Sequence, residues 1–179
     1  YEIGVRLVGS EMCIRDSKNI NPMLVAISEA EKAGLRDEVP IGAAIYDHEH
    51  GHIVAKAGNN VRSLNDPTAH AEILVIREAC KKIGQSRLAF FSLYVTLEPC
   101  PMCCQAISFA RLPKLVFGAY DTKGGGVEHG PKIFSHPTSH HHLEILGGIE
   151  EQRCGELLSD FFNKKRQESS SVKKNLNKS

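Results

Sequence analysis

The sequence predicts an α/β domain in three layers, with a mixed sheet of about five strands between two sets of helices. Two observations carry this. After an opening hairpin, short strand-like runs alternate with helical patterns, the order that gives crossover connections and a sheet covered on both faces. Hydrophobic residues make up 41% of the 179, enough for one core, and aliphatic side chains must fill most of it because tryptophan is absent.

Each element has its own signal. Residues 1–17 show neither helical nor strand period and no signal-peptide pattern, so they are expected to be a non-native or disordered segment. Asn21-Pro22 opens a first helix, a capping side chain followed by proline at the first helical position. Met23, Leu24, Ile27 and Ala30 give its apolar stripe and Gly34 its end. Residues 41–46 and 53–57 read as strands joined by the polar turn 47–51, a hairpin. Residues 59–67 read as a loop. A helix runs from Thr68 or Ala69 to about Lys82, with Ile73, Leu74, Ile76 and Cys80 at helical intervals and Gly84 as the stop. A strand at 93–96, a buried helix at 101–111 and a strand at 115–118 follow. Residues 121–142 are glycine- and histidine-rich and irregular, 143–146 form a last strand, and 149–166 a last helix. Gly155 weakens that helix by about 1 kcal/mol relative to alanine. The domain is thus expected to span 18–166, with 167–179 a disordered basic tail.

Charge and cysteine usage narrow the function. The chain is +1 overall, but residues 163–179 alone carry +5, which leaves −4 on the rest. A faintly acidic body with a basic end suits an anionic partner docking at one side. No apolar run approaches a membrane span, so no membrane partner is expected. The six cysteines are not read as disulfides: a C-x-x-C with a distant histidine points to metal in a reducing, cytoplasmic setting.

The chemistry sits in His70-Ala71-Glu72 and, thirty residues on, Pro99-Cys100-Pro101-Met102-Cys103. Alone, the C-x-x-C could be a redox pair or half of a structural zinc knuckle, and the His-x-Glu a surface pair. Together they offer one imidazole and two thiolates, the donor set of a catalytic zinc with three protein ligands and a fourth position for water. Cys100 and Cys103, three apart at a helix start, can share one face and one ion, and the helix N-terminus favours their thiolates. Cys104 points about 100° away and is not a ligand. Glu72 is free to carry protons while zinc lowers the pKa of its water to about 7. One Zn2+ per chain and no organic cofactor are expected, with a metal-assisted hydrolysis as the reaction.

The His-x-Glu and Pro-Cys-x-x-Cys pair is the signature of zinc nucleobase deaminases. Further pieces resemble one branch, the bacterial tRNA-specific adenosine deaminases, over residues 21–166. They are Glu38-Val39-Pro40-Ile41-Gly42-Ala43, Asn65-Asp66-Pro67-Thr68-Ala69-His70-Ala71-Glu72, Tyr94-Val95-Thr96-Leu97-Glu98-Pro99-Cys100, Val116-Phe117-Gly118-Ala119, Asp121-Thr122-Lys123-Gly124 and Leu157-Leu158-Ser159-Asp160-Phe161-Phe162. The resemblance implies a cytidine deaminase-like fold, conversion of a wobble adenosine to inosine in a tRNA anticodon stem-loop, and a homodimer. It implies His70, Cys100 and Cys103 on zinc and Glu72 in catalysis. It also implies Asn59 on the flipped base, Val39, Pro40 and Ala69 around it, Asp121 and Lys123 near the RNA backbone, and Phe162 at the RNA surface with Phe161 packed. His141 aligns with the histidine of a family Asn-His-Arg, replaced here by His140-His141-His142, and is included as a substrate contact. A Gly-Ser pair of the family is missing near Gly130-Pro131. Two rivals remain: a free-base deaminase acting on guanine or cytosine, since Asn59-Asn60-Val61 and the following motif also resemble guanine deaminases, and a non-catalytic zinc-containing subunit, against which Glu72 argues.

Overall fold

The computed structural model describes residues 20–176, so the expectation for residues 1–17 lies outside the described residues. Five strands form one sheet: β1 (Gly42–Asp47), β2 (His52–Gly58), β3 (Phe91–Leu97), β4 (Lys114–Ala119) and β5 (Glu144–Leu146), in the order β2-β1-β3-β4-β5. β1 runs antiparallel to both β2 and β3, whereas β3, β4 and β5 are parallel, so the sheet is mixed as expected.

Side chains alternate between two cores across this sheet, as the two-residue strand period requires. Ala43, Ile45, Leu93, Val95, Leu115 and Phe117 face α3 (Ala71–Ile83) and α4 (Pro101–Phe109) in one cluster. Ala44, Tyr94 and Val116 face α1 (Pro22–Leu35) and α5 (Glu151–Leu176) in the other. The layers are therefore α1/α5, sheet, α3/α4.

Local chemistry explains the helix ends. Asn21 Oδ1 accepts from the Met23 N–H and Pro22 takes the first turn. Gly84 closes α3 in the left-handed conformation, φ 72°. α1 runs one residue past Gly34, and the chain turns at Asp37, φ 62°. Its buried stripe is Met23, Ala26, Ile27, Ala30 and Ala33; Leu24, one position and about 100° off it, is 43% exposed.

Two expectations are corrected. The loop 59–67 contains a short helix, α2 (Val61–Leu64), because buried Glu38 accepts from the backbone N–H of Arg62 and of Ser63 and from the Ser63 hydroxyl. The last helix does not stop at Arg166 but runs to Leu176, through most of the segment expected to be a disordered tail. No glycine or proline interrupts it after Gly155, and Lys165 pairs with Glu168 one turn on, within the helix.

α1 lies so close on β1 that only glycine fits beneath it. A Cβ on Gly42 would sit 2.1 Å from the Ala26 carbonyl oxygen and 2.4 Å from the Ala30 nitrogen. These are backbone atoms and cannot move aside. Gly42→Ala is expected to cost about 2–3 kcal/mol by overpacking, visible as a fall in melting temperature of about 5–10 °C.

Candidate metal centre and active site

Two helix starts and one strand end meet at the carboxyl edge of the sheet. β3 ends at Leu97, and Glu98 and Pro99 lead into α4. Cys100 is the N-cap residue of α4 and His70 that of α3, yet neither side chain caps its helix. Both are turned to each other: His70 Nδ1 lies 3.7 Å from Cys100 Sγ and 3.5 Å from Cys103 Sγ. Tetrahedral zinc with bonds of about 2.3 Å to sulfur and about 2.0 Å to nitrogen needs an S···N edge of about 3.5 Å. All three ligand atoms lie within 4.8 Å of one another, and among the described residues this is the one such cluster of three or more.

The thiols themselves call for a cation. The hydrogen bond with Cys103, and then that with His70, pull Cys100 down to about 4 against burial. The same bond, with burial, holds Cys103 well above the usual thiol range. Two sulfurs this close repel each other when both are ionised, and a bound zinc would supply the positive charge that lets both be thiolates. Donor type, spacing and charge therefore fit one zinc held by His70, Cys100 and Cys103. Cys104 is excluded as a ligand: its Sγ donates to the Pro99 carbonyl at 3.3 Å, and burial pushes its thiol up. The five described cysteines are all free.

Glu72 lies in the first turn of α3, two residues from His70, and is 4% exposed. Burial pushes its carboxyl up to about 6, against its own backbone N–H and the His70 charge, and Cys103 hydrogen-bonds to it. Asn59 is buried directly beneath, its Oδ1 accepting from the Ala71 N–H at 2.9 Å. One amide oxygen thus fixes the backbone between His70 and Glu72, and Asn59 Nδ2 has no partner among the described residues. Ala69 is buried just before His70, and its carbonyl accepts from the Asn60 N–H. Pro40 is buried and Val39 half-buried in the link from α1 to β1.

Asp121 and Lys123 stand on the loop leaving β4. Asp121 Oδ1 accepts from the backbone N–H of Lys123 and of Gly124, so this carboxylate shapes its own turn. Lys123 is exposed. Phe162 is 44% exposed, in edge contact with the half-buried Phe161 at 5.4 Å. α5 reaches this side of the molecule, for Lys165 bridges to Asp37 beyond the end of α1. His141 is the exception. Its Nε2 donates to the Leu112 carbonyl at 2.7 Å, ahead of the amino end of β4 and so at the opposite edge of the sheet from Cys100. Within one chain it fastens the connection into β5 and does not join the other expected substrate contacts.

Sequence reasoning missed Glu98. It is 2% exposed and accepts from the backbone N–H of Asp121, Val127, Glu128 and His129, and from His129 Nδ1 at 2.7 Å. One carboxylate organises the whole 121–129 loop and ties it to the strand end that delivers Cys100. Its sequence signal was an acid at the end of an apolar strand, directly before Pro99. Burial alone would raise its pKa; the N–H and ring of His129 and the N–H groups of Asp121 and Glu128 outweigh it and hold Glu98 below the usual range. A lowered folded pKa gives stability that is full above the unfolded value and lost as pH falls through the folded one. Glu98→Gln, which sets an amide N–H among these donors, should cost about 2–4 kcal/mol at pH 7. The gap between the two melting temperatures should narrow below about pH 4.5, where the wild type loses the same charge.

Comparison with known proteins sets the class first. The family described as the cytidine and deoxycytidylate deaminase zinc-binding region matches residues 16–119, which contain every candidate zinc ligand and Glu72. A tRNA-specific adenosine deaminase of Agrobacterium fabrum is 54% identical over 144 residues, covering 80% of this chain and 93% of the relative. A solved structure from work on A-to-I editing by tRNA:A34 deaminases at the wobble position of transfer RNA superposes with a TM-score of 0.74 at 53% identity, covering 76% of this chain and 98% of that one. A guanine deaminase of Bacillus subtilis is more distant: TM-score 0.55 and 34% identity, covering 69% of this chain and 80% of that one. The chain belongs to the tRNA-specific adenosine deaminases.

Proposed function

We propose that this protein hydrolyses the wobble adenosine of a tRNA anticodon to inosine, releasing ammonia. The observation that carries this reading is 54% identity to a tRNA-specific adenosine deaminase over nearly its whole length, with the metal cluster and Glu72 built as that chemistry requires. Zinc, when bound by His70, Cys100 and Cys103, supplies Lewis acidity that readies water at neutral pH. Glu72 would take one proton from the attacking water and give it to the purine ring nitrogen, then take the proton of the newly added hydroxyl and give it to the departing amine, so that two protons taken match two given. The burial of Glu72, which raises its affinity for a proton, and its place two residues from His70 suit both transfers. Asn59 Nδ2 reads the flipped base, within walls of Val39, Pro40 and Ala69. Asp121, Lys123 and Phe162, on the carboxyl side of the sheet, receive the anticodon backbone and loop. His141 is left out of its own chain's RNA surface by its place at the other edge.

The working unit is a homodimer in the cytoplasm. Phe109 on α4 is 73% exposed and Met102 on the same helix 36%, an apolar face that a second copy would cover. Among the described residues, no helix is long and apolar enough to cross a membrane.

A substrate panel tests the reading against the free-base alternative, which the guanine deaminase likeness keeps in view. Purified zinc-loaded protein should form inosine in an anticodon stem-loop with A at the wobble position and leave guanine and cytosine unchanged. Rapid turnover of a free base with an untouched stem-loop would reverse the assignment.

A further inference from the structure

We propose that Tyr120 and His129 form a subsite for a nucleotide flanking the reacting adenosine, in which His129 Nε2 accepts a hydrogen bond from a ribose 2′-hydroxyl. The inference rests on the tRNA reading above and adds residues that neither the motifs nor the metal cluster assign.

Position comes first. The loop 121–129 folds back on the strand end that supplies the metal ligand. The Gly126 N–H donates to the Pro99 carbonyl at 2.8 Å, and a Cβ on Gly126 would stand 2.8 Å from the Pro101 nitrogen and 3.1 Å from the Cys100 carbonyl carbon. His129 is tied twice to Glu98, two residues before Cys100, through its backbone N–H at 2.9 Å and its ring at 2.7 Å. The loop is therefore fixed against the backbone that carries Cys100.

Chemistry comes second. Glu98 is an acceptor for five donors, so the proton between it and the imidazole sits on His129 Nδ1. In the neutral ring Nε2 is then an acceptor, and it has no partner among the described residues. The His129 side chain is 33% exposed. Tyr120 meets it edge to face at 5.9 Å and rests in turn on buried Phe117 at 5.1 Å, while itself 37% exposed. In a chain with only 6% aromatic residues, two rings stand partly open on a rigid support beside the metal ligands. An oriented acceptor with a neighbouring ring suits the sugar and base of an unstacked nucleotide, and the ribose hydroxyl is the donor that separates RNA from DNA there. A free base would leave the subsite empty.

The test combines protein and substrate deletions. Anticodon stem-loops carrying one 2′-deoxy residue at each loop position are assayed with wild type and with His129→Ala, alongside zinc content and melting temperature. Wild type should lose roughly three- to tenfold in kcat/KM at one position next to the wobble adenosine, mainly through KM. His129→Ala should show the same loss on the all-ribose loop and no further loss at that position. Tyr120→Ala should raise KM while Tyr120→Phe does not. If the penalties of His129→Ala and of each deoxy residue simply multiply at every position, the subsite is wrong. An inert wild type on the all-ribose loop would instead overturn the tRNA reading, and the subsite with it.

Discussion

Glu72→Gln should retain one zinc per chain and a native fold while its deamination rate falls by about 10²- to 10⁴-fold, the range of a positioned acid-base group. The structure makes the two halves of this result separable. Glu72 is not among the three side chains whose donor atoms cluster, so removing its charge leaves the metal ligands in place. Its carboxyl is 4% exposed in the first turn of α3, and burial is the main cause of its raised pKa. A group kept charged against its surroundings destabilises the fold. The amide variant should therefore melt no lower than wild type, and somewhat higher if strain at the site is relieved. A kinetic loss paired with a large stability loss would point to a structural role. Unchanged turnover would remove Glu72 from the mechanism.

Cys103→Ala should lose zinc, activity and stability together. The buried sulfur on the second residue past Pro101 completes the donor set. Without Cys103 the remaining imidazole and thiolate cannot hold a catalytic zinc at working concentrations. Metal content should drop well below one per chain and turnover by at least 10³-fold, as expected when nucleophile and Lewis acid are lost at once. Chelating zinc from the wild type should reproduce the activity loss and lower the melting temperature, because ligand binding to the folded state alone stabilises it. Cys104→Ala is the matched control. Its sulfur bonds to the Pro99 carbonyl, so it should keep zinc and lose only a modest amount of stability.

The fold was legible wherever local chemistry and long-range packing agree. Asn21-Pro22 and Gly84 marked their helix ends directly, because a cap and a left-handed stop each leave a residue-level trace. The metal cluster was legible for the same reason: ligand types at helix starts carry their spacing in the sequence. What sequence could not show was which buried acids hold loops. Glu38 and Glu98 each satisfy several backbone N–H groups from segments 23 to 31 residues away, and such a role leaves no period. The end of α5 was misplaced because a run of serines and lysines reads as tail by composition. In the structure Ser169, Ser170 and Ser171 each donate to the carbonyl four residues back, and the helix continues. His141 shows the limit of alignment: an identical residue sits at the sheet edge away from the metal in its own chain.

X-ray absorption on purified, metal-analysed protein tests the central claim most directly. One zinc per chain with two sulfurs at about 2.3 Å, one nitrogen at about 2.0 Å and a remaining light-atom position is the predicted result. A four-sulfur shell, a fully protein-ligated site, or protein that folds and deaminates with no bound metal would contradict it.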